Sequence, residues 1–127
     1  MTIDLLADVR ADFDRLAAPL ERALAYSGGT HDLDDIWQGV AEGRFQHWAG
    51  VDSVMVTELH VTPKVKSVHI FLAGGNLAEL RAMVDPVLEW AKEQGCTRAT
   101  FAGRRGWERS WATQGWTAPL VVMEKAL

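Results

Sequence analysis

The chain has 127 residues, 48% of them apolar, one cysteine and a formal net charge of −4. That length supports one domain with its own core, the lone Cys96 excludes an internal disulfide and predicts a reducing compartment, and no apolar run approaches the roughly 18 residues of a membrane span. Residues 1–60 hold 11 acidic against 4 basic side chains and residues 61–127 hold 9 basic against 6 acidic, so binding to nucleic acid over a dominant basic face is not expected, whereas the second half could receive a phosphorylated ligand or simply be solvated.

The acidic start MTIDLLADVRADFDR is unlike a signal peptide and predicts a cytosolic protein with no membrane partner. Leu6, Val9, Phe13, Leu16, Leu20 and Ala23 then recur at steps of three and four, one apolar stripe of a helix that Pro19 either kinks or restarts. Packing on a sheet is the first reading of that stripe, and a homodimer through it the second. SGGT is a loop. HDLDDIWQGVAEG reads as a second helix, with Asp32 as N-cap and Gly43 as its stop. RFQHWAG (44–50) reads as a short strand. SVMVTELHV (53–61) and VKSVHIFLAG (65–74) are strands by their β-branched content, and the TPK between them predicts an antiparallel hairpin. In the first of the two, Glu58 and His60 share a face with Val54 and Val56. His69 on the second lies near His60 if the register allows.

GGNLAELRAMVDPVLEWAKEQG predicts a long helix, opened by a capping box of Asn76 and Glu79, interrupted at Pro86 and stopped by Gly95. Cys96 follows as a small buried hydrophobe. CTRATFAG (96–103) reads as a strand, RGWERSWATQG as a short helix and TAPLVVMEKAL as a closing strand. The whole is one α/β domain over residues 1–127, with helices over 1–43 and a sheet core over 44–127.

Residues 101–116, FAGRRGWERSWATQGW, carry three of the six tryptophans. Trp107 and Trp111 lie four apart and share a helix face. They either close the core or form an aromatic wall for a ligand or partner, with Arg104, Arg105 and Arg109 adding cation–π or anion contacts. No tight histidine motif, Ser-His-Asp signature or Walker-type loop is present, and no metal is expected.

A hairpin feeding a βαβ unit, then a short helix and a last strand, resembles the GCN5-related N-acetyltransferase (GNAT) family over roughly residues 45–127. The resemblance implies a mixed, mostly antiparallel sheet with helices on both faces. It also implies acetyl-CoA as cofactor, held along Phe71, Leu72 and Ala73 and by the Gly74, Gly75 and Asn76 loop at the helix N-terminus, with Arg81 further in. Glu58 and His60 stand where that family places a general base. Two departures are visible. The family's Gln/Arg-x-x-Gly-x-Gly/Ala loop is reduced to Gly74-Gly75. When Gly115-Trp116 is set on the Gly-Phe of the family's Asn-x-x-Ala-x-x-Leu-Tyr-x-Lys-x-Gly-Phe segment, the tyrosine that protonates the departing thiolate becomes Trp111, and Tyr26 is a poor substitute. A Gly-Arg-x-Gly-Trp-x-Arg ending after a double glycine is also similar to acetyltransferase-like proteins of tailed phages and prophages. Three functions remain open: an acyl-CoA-dependent N-acyltransferase with a small-molecule or protein acceptor, a silent assembly or virion-associated domain, and a module binding an anionic partner through its Trp/Arg surface.

Overall fold

The structure is a computed structural model and describes residues 5–104 and 106–127. Three helices come first, α1 (Leu5–Arg15), α2 (Ala17–Leu24) and α3 (Leu33–Ala41), followed by strands β1 (Phe45–Ala49), β2 (Val54–Val61) and β3 (Lys66–Gly74). Then come α4 (Leu77–Glu93), β4 (Arg98–Phe101) and α5 (Trp107–Ala112). The sheet order is β1-β2-β3-β4. The first three strands pair antiparallel, and β4, returned by α4, pairs parallel with β3. This is the mixed, mostly antiparallel sheet with helices on both faces that the sequence predicts.

Alternation along the strands divides the core between the two faces. Val54, Val56 and Leu72 meet Phe13, Leu16, Leu20 and Ile36 of the N-terminal helices. Met55, Val68 and Ile70 meet Leu80, Val84, Val87, Ala91 and Trp111. Val68 and Ile70 thus face one layer and Leu72 the other. The reason is a bulge: Val56 pairs with Leu72 but Thr57 with Ile70, leaving Phe71 as an extra residue.

Of the two readings at Pro19 the restart is the one formed, and other local expectations are corrected. The first helix ends at Leu16, whose φ of −102° and ψ of 17° are not helical, and restarts as α2 with Pro19 in its first turn, where a missing N–H costs little. Pro86 does not interrupt α4, which runs unbroken through it. Asn76 does cap α4, its Oδ1 accepting from the Glu79 N–H at 3.0 Å. The reciprocal half of the capping box is absent, because the Glu79 carboxylate accepts instead from the Val51 and Asp52 N–H groups at 2.8 and 3.0 Å. A full box occurs at α3, between Asp32 and Asp35. The closing strand is not formed: residues 117–127 have no regular structure and lie exposed. Its residues favour a strand, but a strand exists only where a neighbour accepts its ladder, and none does so here.

The β1–β2 turn fastens the two layers together. While Glu79 takes its amides, Arg15 of α1 donates to the Val51 and Gly50 carbonyls at 2.6 and 3.0 Å. The Ser53 side chain, followed by those amide bonds, holds the Glu79 carboxyl below its ordinary 4.5. Ser53 is fully buried, and its Oγ accepts the Asn76 N–H at 2.9 Å. Gly75 follows from this approach. Its φ is +126°, and a Cβ there would stand 2.4 Å from Ser53 Oγ and 2.6 Å from Ser53 Cα. Gly74 is equally tight, since its Cβ would meet the Pro19 carbonyl oxygen at 2.3 Å. The double glycine is therefore a packing requirement in its own right.

Two predictions follow from this packing. Gly75→Ala should destabilise the fold by about 1–3 kcal/mol, read as a lower urea midpoint. His47 on β1 packs against Phe13, and burial, the largest cause, holds its imidazole below the ordinary 6.5 despite the attraction of Asp12. The unfolded chain then takes up this proton first as pH falls. Stability should be unaffected by this group above about 6.5 and decline as pH drops from there toward the depressed value. In His47→Phe, chemical denaturation across pH 5–8 should show a flatter acid side than in the parent.

Candidate functional site

β3 and β4 run side by side only from Ser67 opposite Arg98 to Ile70 opposite Phe101. Past that point they part. β3 continues to Gly74 with β2 on one side and no partner on the other, while the chain beyond Phe101 turns away toward α5. The bulge at Phe71 lies at the point of divergence. Between the parted strands is a cleft of about 620 Å³, a size suited to a small ligand. β3 supplies His69 through Gly74, followed by Gly75. Phe101 through Arg104 and Trp107 form one wall, and Arg22, Tyr26 and Ser27 at the end of α2 form the other.

The predicted cofactor residues separate here. Phe71, Leu72, Ala73, Gly74 and Gly75 line the cleft; Asn76 and Arg81 do not. The Asn76 side chain is committed to its helix cap and its N–H to Ser53. Arg81 reaches the other way and donates to the Ser110 carbonyl at 3.1 Å, tying α4 to α5.

The predicted base residues, Glu58 and His60, lie on β2 and cluster with His69 of β3. Glu58 Oε1 and His60 Nε2 are 2.8 Å apart, as their shared strand face predicts. Glu58 lies opposite His69 in the ladder. The His60 and His69 rings stack with centroids 5.2 Å apart and an interplanar angle of 17°. His69 Nδ1 lies 2.8 Å from Thr100 Oγ1 of β4. Of the three, only His69 lines the cleft. Burial, followed by the neighbouring His60, pushes its pKa below 6.5 against the pull of Glu58. Near neutral pH it is thus a neutral imidazole, able to accept a proton. Among the described residues no group of His, Cys, Asp and Glu is placed to hold a metal ion.

The tryptophan–arginine segment resolves mainly into core. Trp111 is 2% exposed, in the layer under α4, and its ring stacks on Trp107 at 6.1 Å. Phe101 meets Trp107, Trp111 and Trp116 at 5.9, 6.2 and 4.9 Å. Trp111 therefore offers no surface to a partner, a correction to its place in the predicted wall. Trp107 is half-buried and faces the cleft as well. Arg109 is exposed. Arg105 lies outside the described residues. The Arg104 guanidinium stacks on none of the tryptophans; it sits 4.1 Å over the Tyr26 ring.

Tyr26 is the residue that sequence reasoning set aside. It is the chain's only phenol. It lines the cleft at the end of α2, bridged by Arg104 to the opposite wall. A tyrosine at a helix end beside a glycine-rich loop carries no signal that it will meet an arginine 78 positions later. Only the docking of α2 across the end of β3, where Pro19 touches Gly74, brings the two together.

No family model matches the chain, and no curated protein matches it significantly. Solved structures do. The chain is similar in fold to an aminoglycoside acetyltransferase, meta-AAC0020, from an uncultured soil metagenomic sample, with 8% identity over 96% of this chain and 91% of that one and a TM-score of 0.67. It is similar to a ribosomal-protein-alanine N-acetyltransferase from Brucella melitensis biovar Abortus 2308, with 13% identity over 96% and 95% of the two chains and a TM-score of 0.65. A tetramutant of the BH1408 protein from Bacillus halodurans matches at 13% identity over 96% of both chains, with a TM-score of 0.65. Likeness over nearly the whole of both chains to the two acetyltransferases shows that the chain has a divergent form of the GNAT fold.

Proposed function

We propose that the protein is an acyl-CoA-dependent N-acyltransferase whose thioester site is the cleft between β3 and β4. The observation that carries this reading is the unpaired edge of β3 from Phe71 to Gly74, facing a cleft walled by aromatic rings and rimmed by Arg22 and Arg104. An extended ligand with amide groups can add to such an edge as a strand would. The pantetheine arm of acyl-CoA has that character. Arg22 and Arg104 suit its phosphates, aided by the first turn of α4, which the cleft approaches through Gly75 and Leu80. The Asn76 N–H is already taken by Ser53, so phosphate binding here relies on the arginines more than on the loop.

Acyl-CoA supplies an activated thioester to an amine. The chain's residues supply the proton transfers. His69, kept neutral by burial and with Nδ1 engaged by Thr100, takes the amine's proton on Nε2. His60, bonded to Glu58, stacks behind it and fixes the ring. The Tyr26 phenol is the proton source for the leaving thiolate, a role that Trp111 cannot fill because an indole N–H is too weak an acid and this one is buried. Arg104, stacked over the ring, holds it at the cleft.

Titration calorimetry with acetyl-CoA should give a Kd on the order of 10 μM. Release of free thiol from acetyl-CoA across a panel of primary amines should identify the acceptor class. With that acceptor, Tyr26→Phe should lower kcat about 10- to 100-fold and leave acetyl-CoA binding within a few-fold. His69→Gln should remove the acidic limb of the rate profile, which lies below pH 6.5 in the parent. Absence of acetyl-CoA binding at millimolar concentration would end this reading and turn attention to a partner-binding role for Trp107, Arg104 and Arg109.

A further inference from the structure

The sheet face that carries the proposed base extends beyond it. Val68 and Ile70 face α4, so Ser67 and His69 of β3 point to the opposite face. The N-terminal layer covers that face over Val54, Val56 and Leu72. It ends in the rings of Phe45 and Phe71, 5.7 Å apart, with Phe45 opposite Glu58 in the ladder. Past those rings the face is polar. His69 lies between Glu58 of β2 and Thr100 of β4, and Ser67 lies between His60 of β2 and Arg98 of β4.

Two groups in this row have no partner among the described residues. Ser67 is 8% exposed, yet its hydroxyl makes no hydrogen bond there, and a polar group so buried is costly to leave unpaired. The Arg98 guanidinium, exposed at the start of β4, likewise meets no carboxylate or carbonyl. On the other flank of β3, Glu58 gives one oxygen to His60 and keeps the other for a cation. The row is therefore negative on the β2 side and positive on the β4 side, with His69 and Ser67 between. Strand geometry sets the scale: His69 and Ser67 are about 7 Å apart along β3, and β2 and β4 are about 10 Å apart across it.

We propose that this face binds a dipolar amine, its amino end between Glu58 and His69 and its carboxylate between the Ser67 hydroxyl and the Arg98 guanidinium. Arg98 supplies the paired donors that a planar carboxylate accepts, and Ser67 supplies one more. A separation of about 7 Å corresponds to roughly four methylenes between the two groups, which makes the ligand class an ω-amino acid. A simple alkylamine leaves Arg98 and Ser67 unpaired, and a diamine sets a second cation against Arg98. The inference names the acceptor class for the acyl transfer proposed above. It rests on that reading for the fate of the amine, but not for the binding itself.

The test uses three amines of similar length, 5-aminopentanoate, pentylamine and 1,5-diaminopentane, added to the full chain without cofactor and followed by the amide chemical shifts of β3 and β4. 5-Aminopentanoate should bind at least about tenfold more tightly than pentylamine, with shifts centred on Ser67 and Arg98. Arg98→Gln should abolish that preference with far-UV circular dichroism unchanged, and Ser67→Ala should weaken it several-fold. Arg98→Glu should transfer the preference to 1,5-diaminopentane. Equal binding of pentylamine, a preference that Arg98→Gln retains, or no shift with any of the three amines overturns the proposal. Acetyl-CoA binding and thiol release are measured separately. A dipolar amine held through Arg98 by a chain that neither binds nor cleaves acetyl-CoA supports this site and ends the transferase reading. Transfer to pentylamine as readily as to 5-aminopentanoate does the reverse.

Discussion

The parting of β3 from β4 after Ile70 is the feature on which the candidate site depends. Two strands joined by an α4 crossover would ordinarily stay paired for as long as both lasted. Here the bulge at Phe71 adds one residue to β3, reverses which face Leu72 presents, and lets the second half of the strand follow β2 while β4 ends at Phe101. The reversal is also what lets one strand serve two cores. Val68 and Ile70 anchor the α4 side and Leu72 the N-terminal helices. A straight β3 would bury one set and leave the other without support, and there would be no cleft.

Such a gap survives only if its margins are held from outside. One margin is fixed by the β1–β2 turn, gripped through its carbonyls by Arg15 and through its amides by Glu79, so that a cation from one layer and an anion from the other meet on the same few residues. Both contacts are exposed bonds to backbone groups, where charge by itself contributes little. Their effect comes from geometry, since each side chain satisfies turn backbone groups that would otherwise rely on water. The other margin is the aromatic group of Phe101, Trp107, Trp111 and Trp116, which packs the short α5 onto the sheet and fixes where the chain after β4 can go. The tryptophans that attract notice in the sequence thus act mostly as structure, and only Trp107 faces the cleft.

The legible part of this protein was what repeats with a short period. The three- and four-residue spacing of Leu80, Val84, Val87 and Ala91 marks α4, the alternation in residues 54–61 marks β2, and the hairpin turn at Thr62–Lys64 fixes the antiparallel pairing that places Glu58 opposite His69. What was not legible depends on contacts between distant segments. The second half of the supposed capping box failed because Glu79 found better donors in a turn 28 positions earlier. Arg81 looked like a phosphate ligand by its distance from Gly75 but is drawn to the end of α5. Residues 117–127 have every local mark of a strand, and local marks cannot supply the neighbour that a strand requires.

Tyr26 and Trp111 show how such non-local contacts bear on chemistry. The proposed reaction needs an acid near the leaving sulfur, and the fold's short helix after β4 is one place to hold it. In this chain that helix has been given over to core, with Trp111 buried in the aromatic group. An acid is a requirement on the cleft, however, and not on any one element of the chain. The opposite wall is the end of α2, which the contact of Pro19 with Gly74 brings across β3, and there the chain's one phenol stands under an arginine. On this reading, the burial of Trp111 and the Arg104–Tyr26 contact go together: α5 serves as a structural plug while the proposed proton donor stands on the opposite wall.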